Sequence, residues 1–198
     1  MLKIGITGGI GSGKTTVCRI FESLEIPVYY ADIRAKQLMI SDKNVKVAIK
    51  SLLTENAYYK NGKPNRPFIA ERVFADAGLL QKLNRIIHPA VHHDFDQFCI
   101  KHQHSSDYVL NEAALLVENG SYKRFDKIIV VTCPEKIRIQ RVIKRDRVSR
   151  EQVVNRLKNQ LPEAEKIKVA DFIIDNSGEK SLIPQIVDIH RELTQRKK

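Results

Sequence analysis

The stretch that decides the fold is "LKIGITGGIGSGKTTVCRI", residues 2–20. Its first six residues form a short apolar run of the kind that makes a buried parallel strand. The residues after the glycines have the apolar spacing of a helix. Between these segments lies the pattern G-x-x-x-x-G-K-[ST] of a phosphate-binding loop, which is satisfied by Gly8, Gly13, Lys14 and Thr15. A strand, a glycine-rich loop and a helix in this order predict a nucleotide-binding α/β domain.

The residues of this loop have separate chemical roles. Glycines allow the backbone to bend so that successive N–H groups point at phosphate oxygens, and the following helix adds its positive N-terminal end. Lys14 is expected to reach the β- and γ-phosphates, and the Thr15 hydroxyl is expected to bind Mg²⁺. The sequence therefore predicts a site for a nucleoside triphosphate and its magnesium ion.

Apolar runs elsewhere in the chain extend the predicted sheet. Strands are expected at 2–7, at 108–110 with a continuation towards Ala113, at 127–132 and, from weaker patterns, at 27–30 and 172–174. Helical patterns separate these runs, and the alternation is typical of a parallel sheet with helical crossovers. The carboxyl ends of such strands line the ligand-binding edge of the sheet.

Two segments do not fit a simple alternation of strands and helices. Residues 33–104 are too long for a single crossover and carry helical patterns, so we expect an inserted helical subdomain there. Residues 136–160 predict two helices that are separated near residues 146–148. Ser149 and Gln152 form a capping-box pattern at the start of the second of these helices.

Charge and cysteine content narrow the classes of function. The 198-residue chain has a formal net charge of +11 at pH 7, which suits nucleic acid, an anionic membrane surface or small polyanionic substrates. No segment approaches the roughly eighteen apolar residues that a transmembrane helix needs, and the N-terminus lacks a secretory pattern. Cys18, Cys99 and Cys133 form no CxxC pair, so neither a disulfide framework nor a zinc site is indicated. We therefore expect a cytoplasmic protein that binds no membrane.

Asp32 is the first candidate catalytic residue outside the loop. It follows the predicted strand at 27–30, so we expect it at the edge of the sheet that carries the phosphate loop. A carboxylate there can accept a proton from an attacking hydroxyl or can orient that hydroxyl. The alternative is structural, because Asp is a good N-cap for a helix that begins near Ile33.

The densest basic group lies within residues 136–160. Arg138, Arg141 and Arg145 are spaced so that they share one helix face. Guanidinium groups can stabilise the charge that spreads over a transferred phosphoryl group, and a mobile lid that carries them would exclude water. For most of these residues, a solvated basic helix is the alternative.

Further motifs follow the phosphate loop along essentially the whole chain. They are "YYADIRAK" at 29–36, "NGKPNRPFIAERVF" at 61–74, "LNRIIHPAV" at 83–91, "EAALLVENGSYKRFDKIIVV" at 112–131, "QRVIKRD" at 140–146 and "ADFIIDNSG" at 170–178. In this order and spacing, the motifs resemble those of the dephospho-coenzyme A kinase family. The opening "ITGGIGSGKTTV" is shared by many kinases, whereas the combination is more specific.

This resemblance implies an α/β fold of the three-layer P-loop NTPase type with a five-stranded parallel sheet. It implies one dephospho-CoA kinase domain over 1–198, with a core at about 1–32, 105–135 and 163–198. The remaining parts are an acceptor-binding insertion at about 33–104 and a helical lid at about 136–162, called the acceptor insertion and the lid segment below. The implied reaction is ATP-dependent phosphorylation of the ribose 3′-hydroxyl of dephospho-CoA, the last step of coenzyme A synthesis, with Mg²⁺ as cofactor.

The resemblance also implies roles for individual residues. Gly11 to Thr16 match the ATP-binding loop, and Arg141 and Arg145 fall in the lid motif. The predicted ATP-binding residues are Gly8, Gly11, Ser12, Gly13, Lys14, Thr15, Thr16 and Arg145. The predicted catalytic residues are Lys14, Asp32 and Arg141. The predicted acceptor-binding residues are Asp32 and His88, although a histidine before a proline is equally compatible with a structural turn.

The chain departs from the family pattern at two places. The family often has Asp-Ala-Asp where this chain has Tyr30 followed by Ala and Asp32, so only the second acid is retained. The frequent proline of a Pro-Leu-Leu segment is Ala114 here, and the acid just upstream is Glu112. We expect Glu112 to act near Mg²⁺, through water. Glu118 lies in the same motif, where an ordinary helix ion pair is the alternative role.

Three other functions fit part of the sequence. A kinase for another small acceptor, such as a nucleoside monophosphate, would share the fold and the ATP chemistry, but the acceptor insertion with His88 favours dephospho-CoA. A nucleic-acid-stimulated ATPase would fit the charge, yet "YVLNE" at 108–112 poorly matches the Asp-Glu strand end of such motors, and no RNA-binding aromatic motif is present. A non-catalytic switch would need neither Asp32 nor the lid arginines. We therefore expect ATP and dephospho-CoA as ligands, no nucleic acid and no obligate protein partner.

Overall fold

The computed structural model describes residues 1–195 of the chain. Its strands are β1 (Leu2–Thr7), β2 (Val28–Tyr30), β3 (Tyr108–Glu112), β4 (Lys127–Thr132) and β5 (Phe172–Asp175). Its α-helices are α1 (Lys14–Ser23), α2 (Ala31–Ser41), α3 (Lys43–Leu53), α4 (Arg66–Ala75), α5 (Ala77–His102), α6 (Glu135–Asp146), α7 (Arg150–Lys158), α8 (Glu163–Ile167) and α9 (Leu182–Thr194). The predicted core segment 163–198 extends beyond these described residues at its last positions, 196–198.

The five strands form one parallel sheet in the order β2-β3-β1-β4-β5. The strand that leads into the phosphate loop, β1, therefore lies at the centre, between β3 and β4. At its carboxyl end, Ile6 is paired in register with Glu112 of β3 and with Ile129 of β4. The five-stranded parallel sheet predicted from the sequence is confirmed, including the two strands with the weaker patterns.

One face of the sheet is covered by α1 and α9. Alternate residues of the strands point to this face, and they pack with apolar residues of the two helices in a single cluster. Its buried members are Ile4, Ile6, Val17, Cys18, Phe21, Ile26, Tyr108, Leu110, Ile129, Val131, Ile174, Ile186, Ile189 and Leu193. Phe21 of α1 meets Tyr108 of β3 edge to face, with ring centroids 6.4 Å apart. This packing fixes α1, and with it the end of the phosphate loop, against the sheet.

The chain divides into two compact units. The core unit consists of Met1–Tyr30 together with the residues from Cys99 onward, and the helical unit is Ala31–Phe98. The helical unit has its own apolar cluster, built from Val45, Ile49, Leu53, Ala57, Tyr58, Ile69, Val73 and Leu83. Burial raises the pKa of Tyr58 to about 12, and its hydroxyl donates to the Met39 carbonyl at 2.9 Å. The predicted acceptor insertion covers nearly the same residues as this unit, and its binding role stays a prediction.

The lid segment contains the two helices that its sequence predicts. Helix α6 ends at Asp146 and α7 begins at Arg150, so the break lies where it was expected. Ser149 accepts from the Gln152 N–H, and the Gln152 side chain accepts from the Ser149 N–H, which confirms the capping box. Among the residues that the structure describes, no helix has the length and apolarity needed to cross a membrane.

Candidate active site

The phosphate loop connects β1 to α1 and takes its shape from its glycines. Gly11 and Gly13 have φ values of +80° and +93°, which lie in the left-handed region that favours glycine. Gly13 is also the N-cap residue of α1. A side-chain carbon at Gly11 would lie 2.5 Å from the backbone oxygen of Arg138 in α6. Any larger residue at this position would therefore push the loop away from α6.

Backbone hydrogen bonds hold the curvature of the loop. Ser12 N donates to Gly9 O at 3.0 Å, and Thr16 N and Val17 N donate to Gly13 O at 3.0 and 3.1 Å. The N–H groups at the very start of a helix have no acceptor within it. The first turn of α1 therefore offers an anion both backbone donors and the positive end of the helix dipole.

Lys14 is the buried cation of the site. Its side chain is only 10% exposed, and its Nζ donates to the Gly8 carbonyl at 2.9 Å and lies 4.0 Å from Glu112 Oε1. Glu112 is the last residue of β3 and is itself buried. The ammonium group is thus held at the carboxyl edge of the sheet by one carbonyl and one carboxylate, with Gly8 at the mouth of the loop.

The hydroxyl groups of the loop suit a magnesium nucleotide. Thr15 and Thr16 are exposed at the start of α1, while Ser12 Oγ is buried and has no hydrogen-bond partner among residues 1–195. In that same range, no group of three or more His, Cys, Asp or Glu side chains could hold a metal ion. Mg²⁺ usually enters proteins with the phosphates and one or two protein oxygens. The donors present, a Thr hydroxyl and a nearby carboxylate at Glu112, fit that mode.

Two of the predicted lid arginines are bound to the end of β4 and to the loop after β5. Arg138 is buried, and its Nε donates to the Cys133 carbonyl at 2.9 Å. Arg141 donates to the Asn176 carbonyl at 3.1 Å and to Cys133 Sγ at 3.4 Å. Burial raises the pKa of the Cys133 thiol, so the sulfur is a neutral partner at pH 7. For these two arginines, the alternative of a solvated basic helix is wrong.

Arg145, the third predicted lid arginine, has a different environment. It is exposed at the end of α6, and its Nε donates to Asp146 Oδ1 at 2.7 Å. Arg156 of α7 donates to the other oxygen of Asp146 at 2.8 Å. These partners hold the pKa of Asp146 below its usual range, chiefly through the hydrogen bond from Arg145. Asp146 therefore ties the end of α6 to α7 through Arg156, with Arg145 as its second partner. The predicted contact of Arg145 with ATP stays a prediction.

Asn176 is a site residue to which the sequence analysis gave no role. It follows the end of β5, and its Nδ2 donates to the Ser12 carbonyl at 2.7 Å. Its side chain lies against Gly13, where an added Cβ would collide with it. The signal for it was present, because polar residues at the carboxyl ends of parallel strands face the ligand edge, as was argued for Asp32. Gln160 was also missed, since it follows α7 in a loop with no pattern.

Glu118 joins two distant parts of the core unit. Its Oε1 accepts from Lys166 Nζ at 2.5 Å and from Leu161 N at 3.2 Å. Lys166 is 1% exposed. The alternative role, an ordinary ion pair within one helix, is wrong for Glu118, because its partner lies 48 residues further along the chain. This buried pair fastens the segment after α7 to the turn after β3.

Tyr30 replaces the first acid of the family's usual pair. It is the last residue of β2 and is paired in register with Glu112 of β3. Burial raises the pKa of this phenol, and a hydrogen bond with Glu22 and the nearby Glu112 charge act in the same direction. An aspartate at this position would add a negative charge beside these two carboxylates, whereas the phenol is neutral at pH 7.

The two predicted acceptor-binding residues belong to the helical unit. Asp32 is in the first turn of α2, which begins at Ala31, so it is not the N-cap of a helix beginning near Ile33. An acidic residue in a first turn still favours the helix through its dipole. His88 lies inside α5 with Pro89 also in the helix, so the alternative of a turn at this histidine was wrong. Burial lowers the pKa of His88.

Comparisons with known proteins agree with these features. The family model described as dephospho-CoA kinase matches residues 2–181. A dephospho-CoA kinase from Bacteroides fragilis is 37% identical over 188 residues, covering 95% of this chain and 91% of that protein. One from Salinibacter ruber is 41% identical over 182 residues and covers 90% of each. The crystal structure of TT1252 from Thermus thermophilus is 32% identical, with a TM-score of 0.86 over 98% of each chain.

A central parallel strand leads into a glycine loop with a buried lysine, and a helix follows this loop. This arrangement defines the P-loop class of nucleotide-binding proteins. Within that class, the chain belongs to the dephospho-CoA kinase family. The resemblance inferred from the sequence motifs is therefore confirmed at the level of the family.

Replacing Gly11 by alanine is expected to damage the site through the backbone of α6. The new Cβ would lie 2.5 Å from the Arg138 oxygen, so the loop must move, and we expect the Kd for Mg-ADP, measured by titration calorimetry, to rise at least about tenfold. Gly120→Ala is the matched control, since Gly120 has a φ of +73° with nothing within 4 Å of an added Cβ. Nucleotide affinity that falls equally in both variants would contradict the role of the α6 contact.

The half-buried His88 is expected to make stability depend on pH. Its pKa is lowered from 6.5 in the folded chain, so below about pH 6.5 the unfolded chain binds a proton that the folded chain does not. The free energy of unfolding should therefore fall as the pH drops from 7.5 to 5.5. We expect His88→Gln to reduce this slope and His104→Gln, at an exposed position, to leave it unchanged. Urea titrations at both pH values test this, and equal slopes in wild type and His88→Gln would contradict it.

Proposed function

We propose that this protein transfers the γ-phosphoryl group of ATP to the ribose 3′-hydroxyl of dephospho-CoA, giving CoA and ADP in the last step of CoA biosynthesis. The observation that carries the proposal is the family match over residues 2–181, together with a phosphate loop whose glycines and Lys14 have the geometry that the chemistry needs. Kinases of this fold use ATP, typically with a divalent cation.

The phosphate loop supplies the donor side of the reaction. We assign the ATP phosphates to the phosphate loop, at Gly8 and residues 11–16, with Lys14 Nζ directed at the β- and γ-phosphates. Thr15 and, through water, Glu112 would hold the Mg²⁺. When bound, this ion would neutralise negative charge that develops on the phosphate oxygens during transfer. The buried pairing of Lys14 with Gly8 O and Glu112 supports this assignment, because the ammonium group is already held at the mouth of the loop.

The lid arginines supply positive charge for the transferred group. We assign the catalytic contact to Arg141, whose guanidinium lies beside Asn176 and Cys133 at the end of the sheet. Its two hydrogen bonds go to neutral groups. Phosphoryl transfer spreads negative charge over equatorial oxygens, which such a guanidinium stabilises. Arg145 would contact ATP from the other end of α6.

The acceptor side is assigned to the helical unit, as the acceptor insertion predicts. Asp32 would bind the 3′-hydroxyl and either accept its proton or orient it, since a loose transition state needs little help from a base. His88 would bind another part of the acceptor. Support for Asp32 comes from its place two residues after the last residue of β2 and from its match to the family motif.

The wider setting follows from the substrates. A polyanionic donor and acceptor account for part of the net charge of +11 without nucleic acid. We propose a cytoplasmic location, which is supported by the buried thiols of Cys18 and Cys133, since thiols persist in reducing compartments. We propose no membrane binding and no obligate protein partner.

A substrate panel tests the proposed function. The purified protein is incubated with Mg-ATP and, in separate reactions, dephospho-CoA, each nucleoside monophosphate, single-stranded DNA, single-stranded RNA or water. ADP release and the mass of the acceptor are measured, with Lys14→Ala as the inactive reference. We expect one phosphate to be added to dephospho-CoA alone. ADP release that rises only with nucleic acid, while dephospho-CoA is unchanged, would overturn the proposal.

Asp32→Asn is expected to separate chemistry from nucleotide binding. Loss of the carboxylate should lower kcat by at least about a hundredfold while the Kd for Mg-ATP changes less than about threefold, because Asp32 is assigned to the acceptor. Steady-state kinetics and calorimetry give the two values. Asp42→Asn is the control, since Asp42 is also an acid at a helix start in the same unit but caps α3. A fully active Asp32→Asn enzyme would assign this residue to helix stability alone.

A further inference from the structure

The tip of the phosphate loop is bonded to the far end of the lid segment. Ile10 N, in the middle of the loop, donates to Gln160 Oε1 at 2.8 Å, and the bond is partly buried. Gln160 lies just after α7, 150 residues further along the chain. A loop amide and the end of the lid segment are therefore joined by a single side chain.

The side chain of Ile10 strengthens this attachment. It packs against the small apolar cluster that holds α6 and α7 together, whose buried members are Ile139, Val142 and Val153. Val142 also limits the space beside Gly11, where an added Cβ would come within 2.9 Å of its Cγ2. The loop tip is thus held by an apolar contact and by hydrogen bonds at both ends of one planar peptide group. Ser12 N binds the Gly9 oxygen of this group at 3.0 Å, and Gln160 binds its Ile10 N–H at 2.8 Å.

The other loop anchors come from different parts of the core unit. Asn176 holds the Ser12 carbonyl from the end of β5, and Ser12 N closes a turn onto Gly9 O. The Asn176 bond fixes the C-terminal side of the tip, and the Ser12 bond spans it. Gln160 holds the N–H group of Ile10 itself, the residue just before Gly11, where the family's nucleotide-binding run begins.

We propose that Gln160 is a positioning residue for the phosphate loop, which holds the Ile10 amide so that the following N–H groups keep the orientation that receives phosphate. It touches the loop and is not assigned to the nucleotide itself. The proposal rests on the proposed nucleotide-binding role of the loop and does not depend on the identity of the acceptor. Through this bond, nucleotide affinity depends on the position of the end of the lid segment.

Gln160→Met tests this proposal, because methionine keeps the length of the side chain but is a poor acceptor. We expect the Kd for Mg-ADP, measured by calorimetry, to rise about tenfold, since a partly buried donor loses its partner. The KM for ATP should rise similarly, with kcat and the KM for dephospho-CoA little changed. Amide exchange at Ile10, followed by NMR without nucleotide, should be slow in the wild type and at least tenfold faster in the variant.

Two further variants separate positioning from general stability. Gln160→Glu keeps an oxygen acceptor and is expected to restore slow exchange at Ile10. Gln152→Met removes a similar side-chain-to-backbone bond, from Ser149 N at 3.1 Å, at the start of α7. This variant should leave both ADP affinity and Ile10 exchange at wild-type values.

Three outcomes would overturn the proposal. They are fast exchange at Ile10 in the wild-type protein, wild-type ADP affinity in Gln160→Met, and an equal loss of affinity in Gln152→Met. The exchange rate of the Ile10 amide is measured on the wild-type protein alone, so this test can be made even where a variant fails to fold. Failure of the proposed function is distinguishable, because a protein that binds ADP but does not phosphorylate dephospho-CoA still reports on Gln160.

Discussion

The close approach of the phosphate loop to α6 is the constraint on which the rest of the site depends. At Gly11, the loop backbone comes so near to the Arg138 carbonyl that a single methyl group would not fit. The same stretch must also turn through the left-handed region before α1 begins. Glycine meets both requirements, because it adopts positive φ values and has no Cβ. The glycines that expose backbone N–H groups to phosphate therefore also allow the lid segment to pack on the loop. The same backbone atoms of the loop therefore serve both phosphate binding and packing against α6.

The buried and the exposed cations of this chain have different kinds of partner. The buried cations each have a defined partner: Lys14 has a carbonyl and Glu112, Arg138 has the Cys133 carbonyl, and Lys166 has Glu118. Such pairing is required because an isolated buried charge is costly. Exposed cations such as Arg145 pair with carboxylates at the surface, where each pair contributes little to stability. The net charge is thus a poor guide to the site, and the buried cations are a better one.

The sequence predicted the sheet well because strands and the phosphate loop have local signals. The "KIIVVT" run of β4 and the loop pattern are readable over a few residues, and both lie where they were expected. Bonds between distant segments have no such signal. Gln160 and Lys166 reach partners at Ile10 and Glu118 from positions that no periodicity marks.

The predictions for His88 and for the lid arginines were only partly right, because local sequence patterns do not show contacts between distant segments. His88 was weighed as a turn because proline usually interrupts helices, but α5 continues through Pro89. The lid arginines were expected on one face, and that face is split, because Arg138 and Arg141 meet the end of the sheet while Arg145 lies past it at the break between the helices. Residue spacing in the sequence predicts which side chains share a helix face, but the partners of those side chains depend on how distant segments pack.

The pair of Glu118 and Lys166 also constrains how this sequence can change over time. The second carboxylate oxygen of Glu118 has no partner within the described chain and is already buried. Replacing Lys166 alone would leave the Glu118 carboxylate buried without its counter-ion. Replacing Glu118 alone would leave the Lys166 ammonium buried in the same way, so each single substitution is strongly destabilising. An apolar pair of similar volume could nevertheless be as stable. Substitution at these two positions is therefore expected to occur jointly, and the two residues should covary among descendants of this chain.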